Sequence, residues 1–143
     1  MADLPVVIVD ELTSRPVLEI GVPLYRARTS KLGVPPLNHN QRLHHMVRAR
    51  RVKHVRQVVG LRARAAGIGP CTRLVVTLNY APGDTRRIRD PMNLTATSKP
   101  AIDGLVDAGL VPDDTDVYVH ENTPVIHYGP GPRQLWLTVE VTR

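Results

Sequence analysis

The residues best equipped for chemistry lie between Arg86 and Val119. Arg86, Arg87 and Arg89 lead directly into Asp90; Asn93 follows, then Lys99 and, four residues later, Asp103. The stretch closes on the acidic run Asp113-Asp114-Thr115-Asp116. Carboxylates at the ends of short elements, with cations nearby, suit a site for a hard metal ion. Mg²⁺ takes oxygen ligands and often binds through only one or two carboxylates plus substrate phosphate. Held there, it polarises a phosphoryl oxygen and activates water. Phosphodiester hydrolysis is the chemistry these residues predict.

Charge distribution bears on the substrate. The net charge is +6, yet no acidic residue falls between Gly21 and Gly83, where twelve arginines and lysines lie. Seven of the thirteen acidic residues then lie between Asp84 and Asp116. A basic surface of that size attracts a polyanion with salt-dependent, largely sequence-independent affinity. Arginine outnumbers lysine sixteen to three, and its planar fork suits bidentate phosphate contact. Few and scattered aromatics, with no phenylalanine, argue against a base-stacking single-strand binder. A single cysteine, Cys71, excludes an internal disulfide framework and fits a reducing compartment. No signal peptide is evident in the first twenty residues, and no apolar run approaches the ~20 residues of a membrane helix. A soluble, cytoplasmic protein without membrane contact is expected.

The elements that must position these residues follow from periodicity. Residues 1–15 hold an apolar run, Val6-Val7-Ile8-Val9, which is either an edge strand or a loose extension. Pro16–Leu24 reads as a strand, and Tyr25–Asn40 as a long loop broken by Gly33 and Pro35-Pro36. Asn40 or a neighbour caps a helix to about Ala66, with Val52, Val55, Val59, Ala63 and Ala66 on one stripe and Leu43 and Met46 adding apolar contact. Its other face carries Arg42, Arg48, Arg50, Arg51, Arg56, Arg62 and Arg64, with Lys53 at the border. No carboxylate is present in that helix to relieve their i,i+4 repulsion, so the face is expected to bind phosphate. Arg73–Ala81 alternates as a strand. Pro100 suits the first turn of a second helix that turns Ile102, Leu105 and Val106 inward, ending near Gly109. Val117–Tyr128 and Gln134–Thr142 are the remaining strands. The order β-α-β-α-β-β predicts a single α/β domain with a mixed sheet, a long basic helix and a shorter one.

The acidic stretch resembles the RusA family of Holliday junction resolvases. That family's signature is an Arg-rich lead into D-x-D-N, a lysine, an Asp four residues beyond, an A-G end and a D-D turn. It stands here as Arg86-Arg87-Ile88-Arg89, Asp90-Pro91-Met92-Asn93, Lys99 with Asp103, Asp107-Ala108-Gly109, and Asp113-Asp114. Pro36-Leu37-Asn38-His39-Asn40 ahead of a basic helix, and a hairpin after the site, agree with the family's flanks. The resemblance covers residues 16–143 and leaves 1–15 as an N-terminal extension.

The resemblance implies a homodimeric, Mg²⁺-dependent endodeoxyribonuclease, with Mn²⁺ the alternative ion, that resolves four-way junctions in recombination and repair. It makes Asp90, Lys99 and Asp114 catalytic. Asp90 and Asp114, joined by Asp113, hold the metal; Asn93 and Asp103 support the site. Arg86, Arg87 and Arg89 meet the DNA backbone, together with Arg48, Arg51 and Arg56 of the basic helix. The second aspartate of D-x-D-N is Met92 here, and a thioether does not replace a carboxylate for Mg²⁺. Pro100 also biases Lys99 away from helical geometry. The alternative is therefore a junction-binding protein with weakened catalysis. Read singly, the same residues have simpler meanings: Asp113-Asp114 as a turn, Lys99 and Asp103 as an i,i+4 pair, Asp107 as a solvated helix residue. His39, His44 and His45 lack the neighbouring cysteine or acid that would complete a zinc site.

Overall fold

Alternating apolar residues over 73–81 and 134–142 build the two longest strands, and the rest of the sheet assembles on them. The structure, a computed structural model, describes residues 6–9, 16–27, 30–39, 42–84 and 89–143. In chain order the strands are β1 (Val6–Val9), β2 (Pro16–Gly21), β3 (Tyr25–Ala27), β4 (Ser30–Val34), β5 (Arg73–Ala81), β6 (Val119–Glu121), β7 (Val125–Ile126) and β8 (Gln134–Thr142). The helices are α1 (His45–Ala65) and α2 (Thr95–Asp107), the latter preceded by a 3₁₀ turn, Pro91–Leu94.

The main sheet runs β1-β2-β8-β5-β6, with β7 also paired to β5. β8 is antiparallel to both β2 and β5, whereas β6 and β7 lie parallel to β5. The sheet is therefore mixed, as predicted. Val6–Val9 pairs antiparallel with β2, Val6 opposite Glu19, so this part of the N-terminal extension is an edge strand. One face of the sheet carries Leu18, Ile20, Leu74, Val76, Leu78, Leu135, Leu137 and Val139 into the core. Val55, Val59 and Ala63 of α1 and Ala101, Ile102 and Leu105 of α2 close that core. Each buried valine, leucine or isoleucine among them contributes roughly 1.5–3 kcal/mol by leaving water.

The two helices cross at paired glycines. A Cβ on Gly104 would stand 2.6 Å from the Arg56 carbonyl oxygen and 3.0 Å from the Gly60 nitrogen. Backbone touches backbone there. This close crossing sets the basic helix directly against the helix that carries Lys99 and Asp103.

Several expectations are corrected. Tyr25–Asn40 is not loop throughout, because Tyr25–Ala27 and Ser30–Val34 pair as a separate antiparallel hairpin. α1 begins at His45, where the His44 ring accepts a hydrogen bond from the Met46 N–H at 3.2 Å. Asn40, the expected cap, lies outside the described residues. Met46 is exposed rather than packed. Val117–Tyr128 yields only two short strands, β6 and β7. α2 starts at Thr95, so Pro100 sits inside it and Lys99 is helical after all. A proline there removes a helical hydrogen bond. Burial of Pro100 and Ala101 against the rest of the fold, with the two bonds of the buried Thr97 hydroxyl to Leu37, offsets that cost.

Candidate active site

The start of α2 is tied to the Leu37–His39 segment from a distant part of the chain. Asp90 caps the 3₁₀ turn, its Oδ1 accepting from the Met92 N–H at 2.9 Å. The Thr97 hydroxyl, fully buried, donates to the Leu37 carbonyl at 2.6 Å and accepts from the Leu37 N–H at 3.2 Å. His39 gives its backbone N–H to the Asn93 carbonyl at 3.1 Å, and its Nε2 lies 2.6 Å from the Thr95 hydroxyl. That hydroxyl donates its one proton to the Met92 carbonyl, so His39 Nε2 is the donor in the pair. The Pro36–His39 segment thus straps the Asp90–Asn93 turn onto α2. Asn93 is half-buried within this strap. Nothing in the local sequence marks Thr95 and Thr97, whose roles depend on contacts across some sixty residues of chain.

Lys99 projects from α2 toward two carboxylates. Its ammonium donates to Asp103, one helical turn on, at 3.1 Å, and to Asp114 in the turn beyond the helix. Asp103 is also 4.0 Å from Arg56 of α1. Arg56 in turn grips Asp107 through Nε to Oδ2 at 2.5 Å and NH2 to Oδ1 at 2.8 Å. Alternating charges therefore run from Asp114 through Lys99, Asp103 and Arg56 to Asp107, across the helix crossing. The hydrogen bond to Lys99 holds the Asp114 carboxyl below the usual carboxylate range, with the lysine's charge adding to it. Bonds to Asp114 and then Asp103 raise the Lys99 ammonium above its ordinary value. Lys99 stays charged across the neutral range.

The structure assigns the expected metal residues less uniformly. Asp113 Oδ1 accepts from the Thr115 N–H at 2.9 Å and its hydroxyl at 2.7 Å, closing the turn that presents Asp114. Asp113 thus has the turn role considered for it alone. Asp90 likewise spends Oδ1 on its cap. Among the described residues no three acidic, histidine or cysteine side chains gather as a metal-holding group, so Asp90, Asp113 and Asp114 do not form the expected trio. The carboxylates that converge on one cation are Asp103 and Asp114.

The arginines divide in the same way. Arg86 and Arg87 lie outside the described residues. Arg89 does not face outward for phosphate: its guanidinium is largely buried, with NH1 3.0 Å from Asp84. Arg133, buried to a similar degree, reaches the other Asp84 oxygen at 3.7 Å and donates to the carbonyls of Pro82 and Gly33. Tyr128 completes the clamp, its hydroxyl accepting from the Arg89 N–H at 2.9 Å. These groups fix the backbone immediately before Asp90. On α1, Arg56 is committed to Asp107, and Arg51 donates to the Pro36 carbonyl at 3.1 Å while lying over the Tyr25 ring. Arg62 and Arg64 donate to the Gly21 and Asp107 carbonyls. Inter-element bonds relieve much of the repulsion that the helix sequence alone implied. Arg48 remains exposed and, among the described residues, has no carboxylate partner. Asp107, expected to be merely solvated, is the principal anchor of Arg56.

Two further histidines, His54 and His127, serve packing and bonding. His127 stacks on Trp136 at 5.1 Å and bonds the buried Asn79, while His54 meets the Tyr25 hydroxyl. Cys71 packs half-buried against the core, where burial pushes its thiol up. No helix among the described residues is long and apolar enough to cross a membrane. No protein-family model matches the chain, and no curated protein matches it significantly.

Proposed function

We propose that this protein is a structure-selective, divalent-cation-dependent endodeoxyribonuclease of the RusA type, acting on four-way and other branched DNA as a cytoplasmic homodimer. The observation that carries the reading is the convergence of Asp114, from the turn beyond α2, on the Lys99–Asp103 pair of that helix. Their donor set of hard oxygens around a positive charge is compatible with Mg²⁺, or Mn²⁺, bound through two carboxylates and otherwise by water and phosphate. Such an ion supplies charge neutralisation at phosphorus and an activated water. Lys99 adds a cation for charge developing on the phosphoryl oxygens. The strap and the Asp84 clamp fix Asp90 and the start of α2 before substrate arrives. Arg48 and the exposed part of α1 supply backbone contact.

A second reading has its own observation. Met92 is exposed where the family motif carries its second aspartate, and among the described residues no three metal-holding side chains gather. This favours a junction-binding protein with weakened cutting. Labelled four-way junction and matched linear duplex, incubated with the protein in Mg²⁺, Mn²⁺ or EDTA, separate the two. Symmetric, metal-dependent nicking of the junction supports the nuclease. Junction binding without cutting, restored by Met92→Asp, supports the second reading. Equal treatment of junction and duplex by both forms removes both.

A further inference from the structure

Before Val55 no residue of α1 is buried, although its apolar stripe continues back to Val52 and Ala49. There His45, Arg48, Ala49, Val52, Lys53 and Arg56 line an open groove of about 470 Å³ along one side of the helix. The floor is small and apolar, Ala49 and Val52; the rim carries Arg48, Lys53 and Arg56. We propose that this stretch of α1 enters the major groove of a DNA arm and reads thymine there. Ala49 and Val52 receive the 5-methyl group, between cations that meet the flanking phosphates. The inference rests on the reading of the protein as a branched-DNA nuclease, and it adds a base contact to the backbone contacts of that reading.

Charge, floor and shape carry it. The helix contains no carboxylate, and Arg48 and Lys53 pair with none among the described residues, so the rim is complementary to a polyanion. Gripping phosphate needs only polar groups, whereas an apolar floor gains from an apolar partner. In the major groove that partner is the thymine methyl, for which alanine is a suitable contact. A helix with its side chains is about 10–12 Å across and fits a B-DNA major groove about 12 Å wide. The deep, narrow major groove of A-form RNA excludes it. Tyr25 of β3 takes Arg51 and His54 on another side of α1, which leaves the groove free. At its far end the groove reaches Arg56, 4.0 Å from Asp103 and so beside the Lys99 cluster. A base read on Ala49 and Val52 therefore lies at a fixed distance from the candidate active site.

The probe is a pair of four-way junctions of one sequence, built with thymine or with uracil, which pairs identically and lacks the methyl. Fluorescence anisotropy in EDTA keeps cutting out of the measurement. The uracil junction should bind more weakly by about fourfold for each methyl received. That difference should hold as salt rises, because no counterion is released by an apolar contact. Ala49→Ser and Val52→Thr keep the shape of the helix while making the floor polar, and circular dichroism confirms their folding. Both should bring thymine and uracil junctions to nearly equal affinity, whereas Arg48→Ala should weaken both junctions alike. Equal binding of the two junctions by the unmodified protein overturns the inference. A thymine preference that survives in both floor variants does so too, as does equal binding of an RNA duplex of the same sequence. Cleavage in Mg²⁺ is scored separately. Thymine preference without cutting keeps the base contact and removes the nuclease. Metal-dependent cutting without thymine preference keeps the nuclease and removes the base contact.

Discussion

Arg56 of α1 holds Asp107 of α2 side-on, with two parallel N–H···O bonds of 2.5 and 2.8 Å, from Nε and NH2, joining the helices beside their closest approach. The pair is exposed, which limits its contribution to about 1 kcal/mol or less despite good geometry. Its pH dependence has a definite sign. The bond to Arg56 lowers the Asp107 pKa from its ordinary value near 3.8, so the stabilisation is fully present above that value. It is lost as pH falls through the lowered folded-state value. In Arg56→Gln the Asp107 carboxyl should titrate closer to its ordinary value, read by NMR of the carboxyl carbon. The variant should also lose less stability than the unmodified protein between about pH 4 and pH 2. Identical acid unfolding of the two proteins would mean that the pair contributes nothing.

Substitution at the helix crossing should separate two glycines of the same type. Gly104→Ala places a methyl 2.6 Å from a backbone oxygen, and neither helix can yield without lifting off the sheet. A loss of about 2–3 kcal/mol is expected in urea unfolding. Gly60→Ala meets its nearest atom at 3.2 Å and gains up to about 1 kcal/mol of helix propensity. It should be near neutral. The order of the two variants is the test, and its reversal would contradict the crossing.

Asp84 is the shared carboxylate of two largely buried guanidiniums, Arg89 and Arg133. Removing one partner from a buried charge cluster costs about 3–5 kcal/mol, and partial exposure here puts Asp84→Ala near the lower end. Arg133 keeps its carbonyl acceptors, so the loss should fall mainly on the segment entering Asp90. Hydrogen exchange should show faster exchange at the Arg89 amide than at amides in the middle of β5. Uniform change across the chain would disprove that local role.

Arg48 and Arg56 were alike as members of a basic helix face, and the structure sets them apart. On the proposed function, Arg48→Ala should weaken DNA binding similarly for all sequences and reduce the log–log salt slope by about 1. Arg56→Gln should leave the slope nearly unchanged, because its charge is already matched by Asp107 and Asp103. Fluorescence anisotropy over a series of salt concentrations checks both. Equal slopes for the two variants would show that the ion pair does not withhold Arg56 from DNA.

Much of the fold was legible because it rests on local pattern. Period-two alternation located β5 and β8, and the valine stripe located α1, since burial on one face imposes those periods. The misreadings share a different cause. Gly33 and Pro35-Pro36 signalled a loop, yet antiparallel pairing of Tyr25–Ala27 with Ser30–Val34 still made a second, two-stranded sheet. Pro100 signalled a helix start, yet the bonds from Leu37 and His39 begin the helix at Thr95. The candidate site was legible in the same divided way. Spacing placed Lys99 near Asp103, because i and i+4 share a helix face. The pairing of Arg56 with Asp107, the burial of Arg89 on Asp84 and the choice of Asp103 over Asp113 beside Asp114 depend on elements meeting in space. None of these leaves a periodic trace.

The place of β8 in the sheet governs how the chain can assemble. β2 and β5 never bond to one another; both bond to β8, which lies between them although it follows every other element. During synthesis the helices and β5 emerge early with no strand to seal β5 on its β8 side. The sheet becomes continuous only when residues 134–142 arrive to join β2 to β5. Such long-range closure slows folding and leaves strand edges open meanwhile. Native structure should thus appear in nascent chains as a single late event, timed by the release of β8 from the ribosome.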